Sequence, residues 1–390
     1  MLSKNINLKN FNIKKINKKQ NNKVLKILKE LLKEENQILN SLRENYVNSY
    51  HKKLLLKFKN KTKIILIGMG GSILGARTIY NFLKPKIKKF LFVDSFQSYK
   101  NKNINDKNQL NLIISKSGNT LETISNSNIL INKKQANIFI TENKKSYLMD
   151  LAIKLKSEIV HHNNFIGGRY SVLSEVGMLP AELMGLSPNK FRRLNHLVKN
   201  KKFIDMLVLN VSNTLNLINK KKFNSIILNY DEKSSDLFYW YQQLIAESLG
   251  KKGSGILPIV SSMPKDNHSL MQYYLDGGKN NFFTFFFVKE RSSKKIKKYG
   301  LLDSHYYLKD KDLNDISFTQ FLATEKVFKI KKIPYRSFVI NKRSEETLGE
   351  LFIFFILETI LLARAMRINP YNQPAVELIK TETKKILVRS

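Results

Sequence analysis

The segment with the greatest density of groups suited to an anion lies at residues 115–120. It reads Ser-Lys-Ser-Gly-Asn-Thr and follows an apolar run, so we expect it between a strand and a helix. Hydroxyl and backbone donors, a lysine and the positive end of a helix dipole are groups that bind a phosphate. The segment therefore predicts an anion site, while the alternative interpretation is that its hydroxyls cap an ordinary helix.

A glycine loop at residues 68–75 reads Gly-Met-Gly-Gly-Ser-Ile-Leu-Gly and stands between an apolar run and an amphipathic stretch. Glycines at such a turn expose backbone N–H groups and let a ligand approach. The loop is a weak dinucleotide fingerprint, with Asp94 placed as a ribose ligand, because Ile73 stands where the third glycine belongs. A tight turn without a ligand is the other interpretation.

An arginine follows two glycines in the segment Gly-Gly-Arg-Tyr-Ser at residues 167–171. The guanidinium of Arg169 presents a fixed fork of donors beside exposed backbone, and this combination suits a developing oxyanion. A surface arginine in a turn would give the same local pattern.

Gln243 and Glu247 lie one helical turn apart in a helix that we predict over residues 235–250. Their spacing lets both side chains address one site. A carboxylate is already ionised at neutral pH and could act there as a base. Taken by position alone, however, most glutamates on helices are solvated.

Two further segments place single ionisable residues in polar surroundings. His268 lies in the run Pro-Lys-Asp-Asn-His-Ser-Leu-Met-Gln ahead of a predicted helix, and Lys380 ends the run Gln-Pro-Ala-Val-Glu-Leu-Ile-Lys near the C-terminus. A structural histidine and a solvated lysine would explain the same positions. The six histidines, which include the adjacent His161 and His162, lack the spacing of zinc ligands, so we predict no metal.

Short apolar runs that alternate with helical patterns must position these residues. The predicted strands are 64–67, 90–93, 112–114 and 138–140, then, after a helix-rich passage over 173–218, 226–228, 282–288 and 337–340. This alternation predicts parallel βαβ units and an α/β fold of two tandem α-β-α sandwiches. The predicted units are an N-terminal helical segment (1–47), two α/β domains (48–195 and 196–370) and a C-terminal helical tail (371–390).

The formal net charge of +37 invites the hypothesis of a nucleic-acid partner. The lysines are scattered in pairs along the chain together with abundant Asn and Ile, which favours a coding bias over a dedicated surface. We therefore expect no nucleic-acid partner, and we interpret the charge as an attraction for a small phosphorylated substrate.

Composition also bears on the cellular location. The sequence has no cysteine, which fits a reducing compartment, and residues 1–15 lack the apolar stretch of a secretory signal. The apolar run at 351–362 is interrupted by Glu358, so we predict a buried helix and no membrane span. A cytoplasmic protein is the expectation.

Taken in order from Gly68 to Lys380, these segments resemble the signature set of the phosphoglucose isomerase family, whose members contain two sugar-isomerase (SIS) sandwiches. The Gly-Gly-Arg-Tyr-Ser, Asp-Asn-His-Ser and Ser-Lys-Ser-Gly-Asn-Thr segments are specific in combination. The resemblance implies a cofactor-independent aldose-ketose isomerase that interconverts glucose 6-phosphate and fructose 6-phosphate through an enediolate, in glycolysis and gluconeogenesis.

The resemblance also implies roles for single residues. Glu247 would carry the proton between C2 and C1, and Gly168 and Arg169 would meet the enediolate. His268 and Lys380 would open the sugar ring, and the histidine would come from a second subunit, which implies a homodimer. The substrate and its phosphate would be bound by Ser72, Ser115, Lys116, Ser117, Thr120, Gln243 and Gln373.

Other functions remain open at this point. An SIS-type isomerase of another sugar phosphate, such as a mannose or amino sugar phosphate, would differ only in the walls of its pocket. A non-catalytic sugar-phosphate sensor is a hypothesis from a different class. The presence of Glu247, His268 and Arg169 argues against a sensor, because binding alone needs no base.

Overall fold

The chain forms two five-stranded sheets in a computed structural model that describes residues 2–13, 18–96, 107–289 and 294–389. The strands are β1 (Ile6–Lys9), β2 (Lys63–Gly68), β3 (Lys89–Val93), β4 (Gln109–Ile114), β5 (Ala136–Glu142), β6 (Glu158–His162), β7 (Asn224–Asn229), β8 (Leu257–Ser262), β9 (Asn281–Val288) and β10 (Tyr335–Ile340).

The helices of the described residues are α1 (Lys18–Lys33), α2 (Gln37–Ser41), α3 (Lys52–Lys57), α4 (Gly71–Leu83), α5 (Leu121–Leu130), α6 (Tyr147–Lys154), α7 (Glu175–Leu183), α8 (Pro188–Phe191), α9 (Leu194–Lys199), α10 (Lys201–Asn219), α11 (Ser235–Leu249), α12 (Met271–Asp276), α13 (Leu313–Ile330), α14 (Glu345–Ala365) and α15 (Val376–Arg389). Short 3-10 helices lie at Gly168–Leu173, Glu232–Ser234, Lys265–His268, Lys298–Gly300 and Asp303–Leu308.

The first sheet is wholly parallel and has the strand order β3-β2-β4-β5-β6. Its central strand, β4, is buried along its full length, as expected for a parallel sheet covered by helices on both faces. Because β2 and β4 are neighbours, the segments that follow them meet at one edge. The glycine loop and the hydroxyl-rich turn are therefore adjacent.

The second sheet has the order β1-β10-β9-β7-β8, and its four later strands are parallel. At its edge, β1 runs antiparallel to β10, with Ile6 opposite Ile340. The predicted fold of two α/β sandwiches is confirmed, but the stretch expected to be an N-terminal helical segment also supplies a strand. The only sequence signal for this strand is a short alternation of apolar and polar residues among lysines and asparagines. Its apolar residues, Ile6 and Leu8, are buried.

Two other strands were absent from the sequence prediction. β6 contains only two apolar residues between polar ones, and β8 contains Pro258, which disfavours strand interiors. Both are edge strands, where less burial and fewer hydrogen bonds are required. The boundaries predicted for the four units of the chain stay a prediction.

An ion-pair cluster joins the two α/β units on the side of α4. Arg77 donates from Nε to Asp236 on α11 at 2.7 Å, and its Nη1 pairs with Asp94 after β3. Asn81 on α4 also donates to Asp236. The Asp94 carboxylate is thus paired inside the protein, which weakens the interpretation of Asp94 as a ribose ligand.

α14 is buried continuously from Thr347 to Ala363 and forms part of the core. The buried helix that we predict at this position is confirmed. Among the described residues, no helix is both long enough and apolar enough to cross a membrane.

A polar network lies inside this apolar core. The buried Glu358 of α14 pairs with Arg336 of β10, and it accepts hydrogen bonds from Asn210 of α10 at 2.6 Å and from Tyr241 of α11 at 3.0 Å. Burial lowers the pKa of Arg336, but the negative charge of Glu358 more than offsets this effect, so the net pKa is raised. The network ties three helices to the second sheet.

We expect Glu358→Gln to lower the free energy of unfolding by about 3–5 kcal/mol, because it leaves the Arg336 charge buried without its counter-ion. Urea unfolding followed by the fluorescence of Trp240, the single tryptophan, would measure the loss. The matched control is Glu382→Gln, which removes an exposed pair with Lys385 and should cost less than about 1 kcal/mol. Equal losses in the two variants would contradict the assigned role of the network.

Candidate active site

The hydroxyl-rich turn at residues 115–120 connects β4 to α5 at the carboxyl edge of the first sheet. The Ser115 side chain is buried and its Oγ lies 2.9 Å from Oγ1 of Thr120. Thr120 is the residue before α5, yet its side chain makes no capping hydrogen bond to that helix. The alternative interpretation, that its hydroxyl serves only as an N-cap, therefore does not describe Thr120.

Lys116 is held on one side of this turn. Its Nζ donates to the backbone oxygen of Asn164 at 3.0 Å and lies 3.4 Å from Oε1 of Glu142. Ser117 is exposed, and its Oγ accepts a hydrogen bond from the backbone N–H of Asn119 at 3.3 Å. The turn thus presents Ser117 to solvent and keeps Lys116 near the loop that leads to the second glycine segment.

Gly118 lets the turn close. It has a φ of +65°, and a Cβ at this position would lie 2.1 Å from Oγ of Ser146. Only glycine is free of strain there and fits against the start of α6. The backbone of the turn is therefore specified by packing as well as by its polar residues.

The glycine loop lies beside the hydroxyl-rich turn. A Cβ on Gly68 would be 3.0 Å from the backbone oxygen of Ile114, which ends β4, and 3.2 Å from Cβ of Ser72. A Cβ on Gly71 would be 2.2 Å from the backbone carbon and oxygen of Gly168. The start of α4 thus contacts the Gly167-Gly168 backbone, and Ser72 lies between the two segments.

Arg169 and Glu247 form the centre of the site. The buried Arg169 side chain donates from Nη1 to Oε2 of Glu247 at 2.7 Å and from Nε to Oγ of Ser248 at 3.0 Å. Gln243 donates from Nε2 to the other carboxylate oxygen of Glu247 at 2.8 Å. The side chain of Glu247 is 31% exposed. Its carboxylate is therefore held by two partners but remains open to a ligand.

Arg169 also binds the segment that precedes α15. Its guanidinium donates to Oε1 of Gln373 at 2.8 Å and to the backbone oxygens of Pro370 at 2.7 Å and Asn372 at 3.2 Å. The Tyr170 hydroxyl donates to the same Pro370 oxygen at 3.1 Å. Burial raises the pKa of Tyr170 to about 12, so this hydroxyl stays neutral and able to donate.

A buried His162–Glu175 pair supports the loop that leads to Arg169. Nδ1 of His162 lies 2.6 Å from the Glu175 carboxylate, and Nε2 lies 2.9 Å from the backbone oxygen of Ile166. Contacts at both ring nitrogens fix the orientation of the imidazole between Glu175 and the loop. Burial raises the pKa of Glu175, but the hydrogen bond and charge of His162 outweigh it and the pKa is lowered. No cluster of metal-ligating residues occurs in the described ranges.

The structure brings most of the predicted site residues together at the junction of the two sheets. α11 reaches this junction with its C-terminal turns, which carry Gln243 and Glu247. Hydrogen bonds join Arg169 to Glu247 and Gln373, and Gln243 to Glu247, while Gly168 adjoins Gly71 at the start of α4. The other predicted residues lie on the neighbouring glycine loop and hydroxyl-rich turn, and they are Ser72, Ser115, Lys116, Ser117 and Thr120.

Two predicted residues are not joined to this cluster within one chain. His268 ends an exposed 3-10 helix after β8, and Lys380 lies on α15, where it donates to Glu377 at 2.7 Å. Among the described residues, neither forms a hydrogen bond or ion pair with Glu247 or Arg169. α15 itself has no buried residue.

Sequence reasoning missed the residues that support the central pair. Ser248 accepts a hydrogen bond from Arg169, and the Tyr170 hydroxyl contacts both Ser248, at 2.8 Å, and the Pro370 oxygen that Arg169 also binds. Their only signal in the sequence is adjacency, since each directly follows a predicted site residue. His162 was considered only as a metal ligand.

Two tandem α/β sandwiches, with a site of this composition where they meet, define the class of SIS-type sugar-phosphate isomerases. Residues 15–262 match the phosphoglucose isomerase family. The chain belongs to that family.

Relatives of known name agree with this assignment. The chain is 33% identical over 345 residues to glucose-6-phosphate isomerase of Methanocaldococcus jannaschii, with 84% of this chain and 83% of the relative covered. It is also 33% identical over 353 residues to glucose-6-phosphate isomerase of Mycoplasmopsis pulmonis, covering 83% and 82%.

Solved structures show the same fold. A hypothetical protein from Thermus thermophilus superposes with a TM-score of 0.81 at 21% identity, covering 94% of both chains. A glucose-6-phosphate isomerase from Chlamydia trachomatis superposes with a TM-score of 0.66 at 19% identity, covering 86% of this chain and 71% of that one.

We expect Gly71→Ala to displace the Gly168 and Arg169 backbone, because the added methyl group would overlap backbone atoms that cannot rotate away. The free energy of unfolding should fall by about 1–3 kcal/mol, as measured by urea denaturation. Gly300→Ala is the matched control, since a Cβ there meets no heavy atom within 4 Å. A Gly71→Ala protein as stable as the control would refute the close approach.

Proposed function

We propose that the chain is a glucose-6-phosphate isomerase, which interconverts glucose 6-phosphate and fructose 6-phosphate through a cis-enediolate without a cofactor. Family membership and the names of the relatives support the identity of the proposed substrate. The observation that carries the proposal is the Glu247 carboxylate, which is bonded to Arg169 and Gln243 yet partly open to solvent.

In the proposed reaction, Glu247 takes the proton from C2 of the open-chain aldose. The electron pair of that C–H bond forms the C1–C2 double bond, and the former carbonyl oxygen becomes an oxyanion. The carboxyl group then returns its proton to C1, while the hydroxyl proton of O2 passes to O1 and leaves a ketone at C2. One base thus serves both half-reactions.

Arg169 and the backbone at Gly168 would stabilise the oxyanion. The guanidinium is buried, so its charge acts in a medium of lower dielectric constant than water. Its five hydrogen bonds to protein atoms keep it in place without the substrate. A donor that needs no rearrangement during the reaction contributes more to the rate than a mobile one.

The turn at residues 115–120 would bind the substrate phosphate. Ser115, Ser117 and Thr120 supply hydroxyl donors, Lys116 supplies charge, and the first turn of α5 directs free N–H groups toward the same point. Ser72 beside this turn would contact the sugar, and Gln373 beside Arg169 would help to bind the phosphate.

We propose that His268 and Lys380 open the sugar ring and that the active unit is a homodimer. In one chain His268 is exposed and forms no hydrogen bond to Glu247 or Arg169. Because His268 is exposed and is not bonded to Glu247 or Arg169 in its own chain, it is free to reach the corresponding site of a second subunit.

The reaction would serve glycolysis and gluconeogenesis, which share these two sugar phosphates. We place the enzyme in the cytoplasm, where thiols stay reduced, because the 390-residue sequence contains no cysteine.

We expect Glu247→Gln to lower kcat by about 10²–10⁴-fold, because the amide has the shape of the carboxylate but cannot accept the proton. Purified protein would be mixed with fructose 6-phosphate in heavy water, and conversion and deuterium entry at C2 would be followed by NMR. Binding of fructose 6-phosphate, measured by calorimetry, should be retained.

The control for this substitution is Glu232→Gln, which makes the same chemical change at an exposed position on a 3-10 helix. Its rate should equal that of the wild type. If Glu247→Gln also turned over and exchanged deuterium at the wild-type rate, the assigned base would be wrong. Binding without any turnover in the wild type would favour the sensor hypothesis.

We expect mixed dimers of Glu247→Gln and His268→Ala subunits to regain activity. If each site takes its glutamate from one subunit and its histidine from the other, one of the two sites in a mixed dimer is intact. Co-expression with two affinity tags would isolate mixed dimers. Their rate should reach about half that of the wild type, because one of their two sites is intact. A mixed species as inactive as its parents would exclude a shared site.

A further inference from the structure

Lys251 lies next to the central pair and has no role in the reaction as described so far. It follows Gly250 at the end of α11, four residues after Glu247. Its backbone forms a short turn with Ser254, in which each residue accepts a hydrogen bond from the other, at 3.0 and 3.1 Å. Lys251 therefore starts from a fixed backbone position.

The Lys251 ammonium group donates to the backbone oxygen of Asn369. Asn369 begins the segment 369–373, which ends at Gln373 and leads into α15. Arg169 binds this segment at Pro370, Asn372 and Gln373. Two cations, Arg169 and Lys251, thus bind one short segment of the chain.

The charge environment agrees with this geometry. Partial burial lowers the pKa of Lys251, the positive charge of Arg169 lowers it further, and the negative charge of Glu247 raises it. The geometry agrees, because Lys251 binds Asn369 and Arg169 binds the adjoining Pro370.

A simpler interpretation is that Lys251 only complements the helix dipole, as cations near helix C-termini commonly do. That role needs no specific acceptor outside the helix. The hydrogen bond to Asn369, more than a hundred residues away in the sequence, is an additional and specific contact. The neighbouring Lys252 is exposed and offers a direct comparison.

We propose that Lys251 is a positioning residue for the isomerisation. Its ammonium group fixes the Asn369 carbonyl, and together with Arg169 it holds segment 369–373, and so keeps Gln373 bonded to Arg169. The proposal rests on the isomerase function proposed above.

The test compares Lys251→Met, Lys251→Arg and Lys252→Met with the wild type. Methionine keeps an unbranched side chain only one atom shorter than that of lysine but removes its charge and donors, whereas arginine keeps the charge and donors. Amide hydrogen exchange of peptides that cover segment 369–373 measures the contact without any need for activity. Initial rates with fructose 6-phosphate from pH 5 to 9 measure kcat and KM.

We expect Lys251→Met to speed exchange in this segment and to lower kcat/KM on the order of 10-fold. The loss should fall on kcat more than on KM, because the substitution leaves the residues proposed to bind the phosphate unchanged. Lys251→Arg should restore most of the rate, and Lys252→Met, with the same loss of charge, should behave as the wild type.

Three results would overturn the proposal: wild-type exchange in Lys251→Met, faster exchange without a kinetic change, or equal kinetic losses in Lys251→Met and Lys252→Met. A wild-type protein that does not convert fructose 6-phosphate would instead reject the proposed function. In that case the exchange measurement still decides whether Lys251 holds the segment.

Discussion

The buried guanidinium of Arg169 is the constraint on which the site depends. An arginine removed from water is tolerated only when its charge and its donors are satisfied, since an unpaired buried charge costs several kcal/mol. Here the partners come from two distant parts of the chain. One is α11, with Glu247 and Ser248, and the other is segment 369–373, with the backbone at Pro370 and Asn372 and the side chain of Gln373. The hydrogen bonds that satisfy the buried Arg169 therefore also bring the residues of the site together.

This arrangement explains why the two α/β units are closely docked. Arg169 follows the first sheet, whereas Glu247 lies on a helix of the second unit, and their contact requires that α4 and α11 pack together. The glycines at the start of α4 permit the close approach, because a Cβ at Gly71 would overlap the backbone of Gly168. The Arg77–Asp236 ion pair adds a polar contact on the same interface. The geometry of the site therefore depends on how the two α/β units are docked.

Much of this structure follows from local patterns, and the remainder depends on long-range contacts. The buried strands of both sheets and the buried α14 were predictable because long apolar runs with regular spacing have few alternatives. β1, β6 and β8 were not, since edge strands are short and mixed in composition. The motif segments predicted the cluster around Glu247. Spacing along the chain could not reveal that the donors of Arg169 would also bind segment 369–373, which only the fold brings near.

The antiparallel pairing of β1 with β10 has a consequence for how the protein is made. The second sheet closes one edge with residues from the beginning of the chain, and its partner strand is synthesised more than three hundred residues later. During translation that N-terminal strand has no place to bind until nearly the whole polypeptide has emerged. Afterwards it covers the rim of β10, where open backbone groups would otherwise invite intermolecular pairing. A strand synthesised early is thus placed late, and it then protects the sheet from edge-to-edge association.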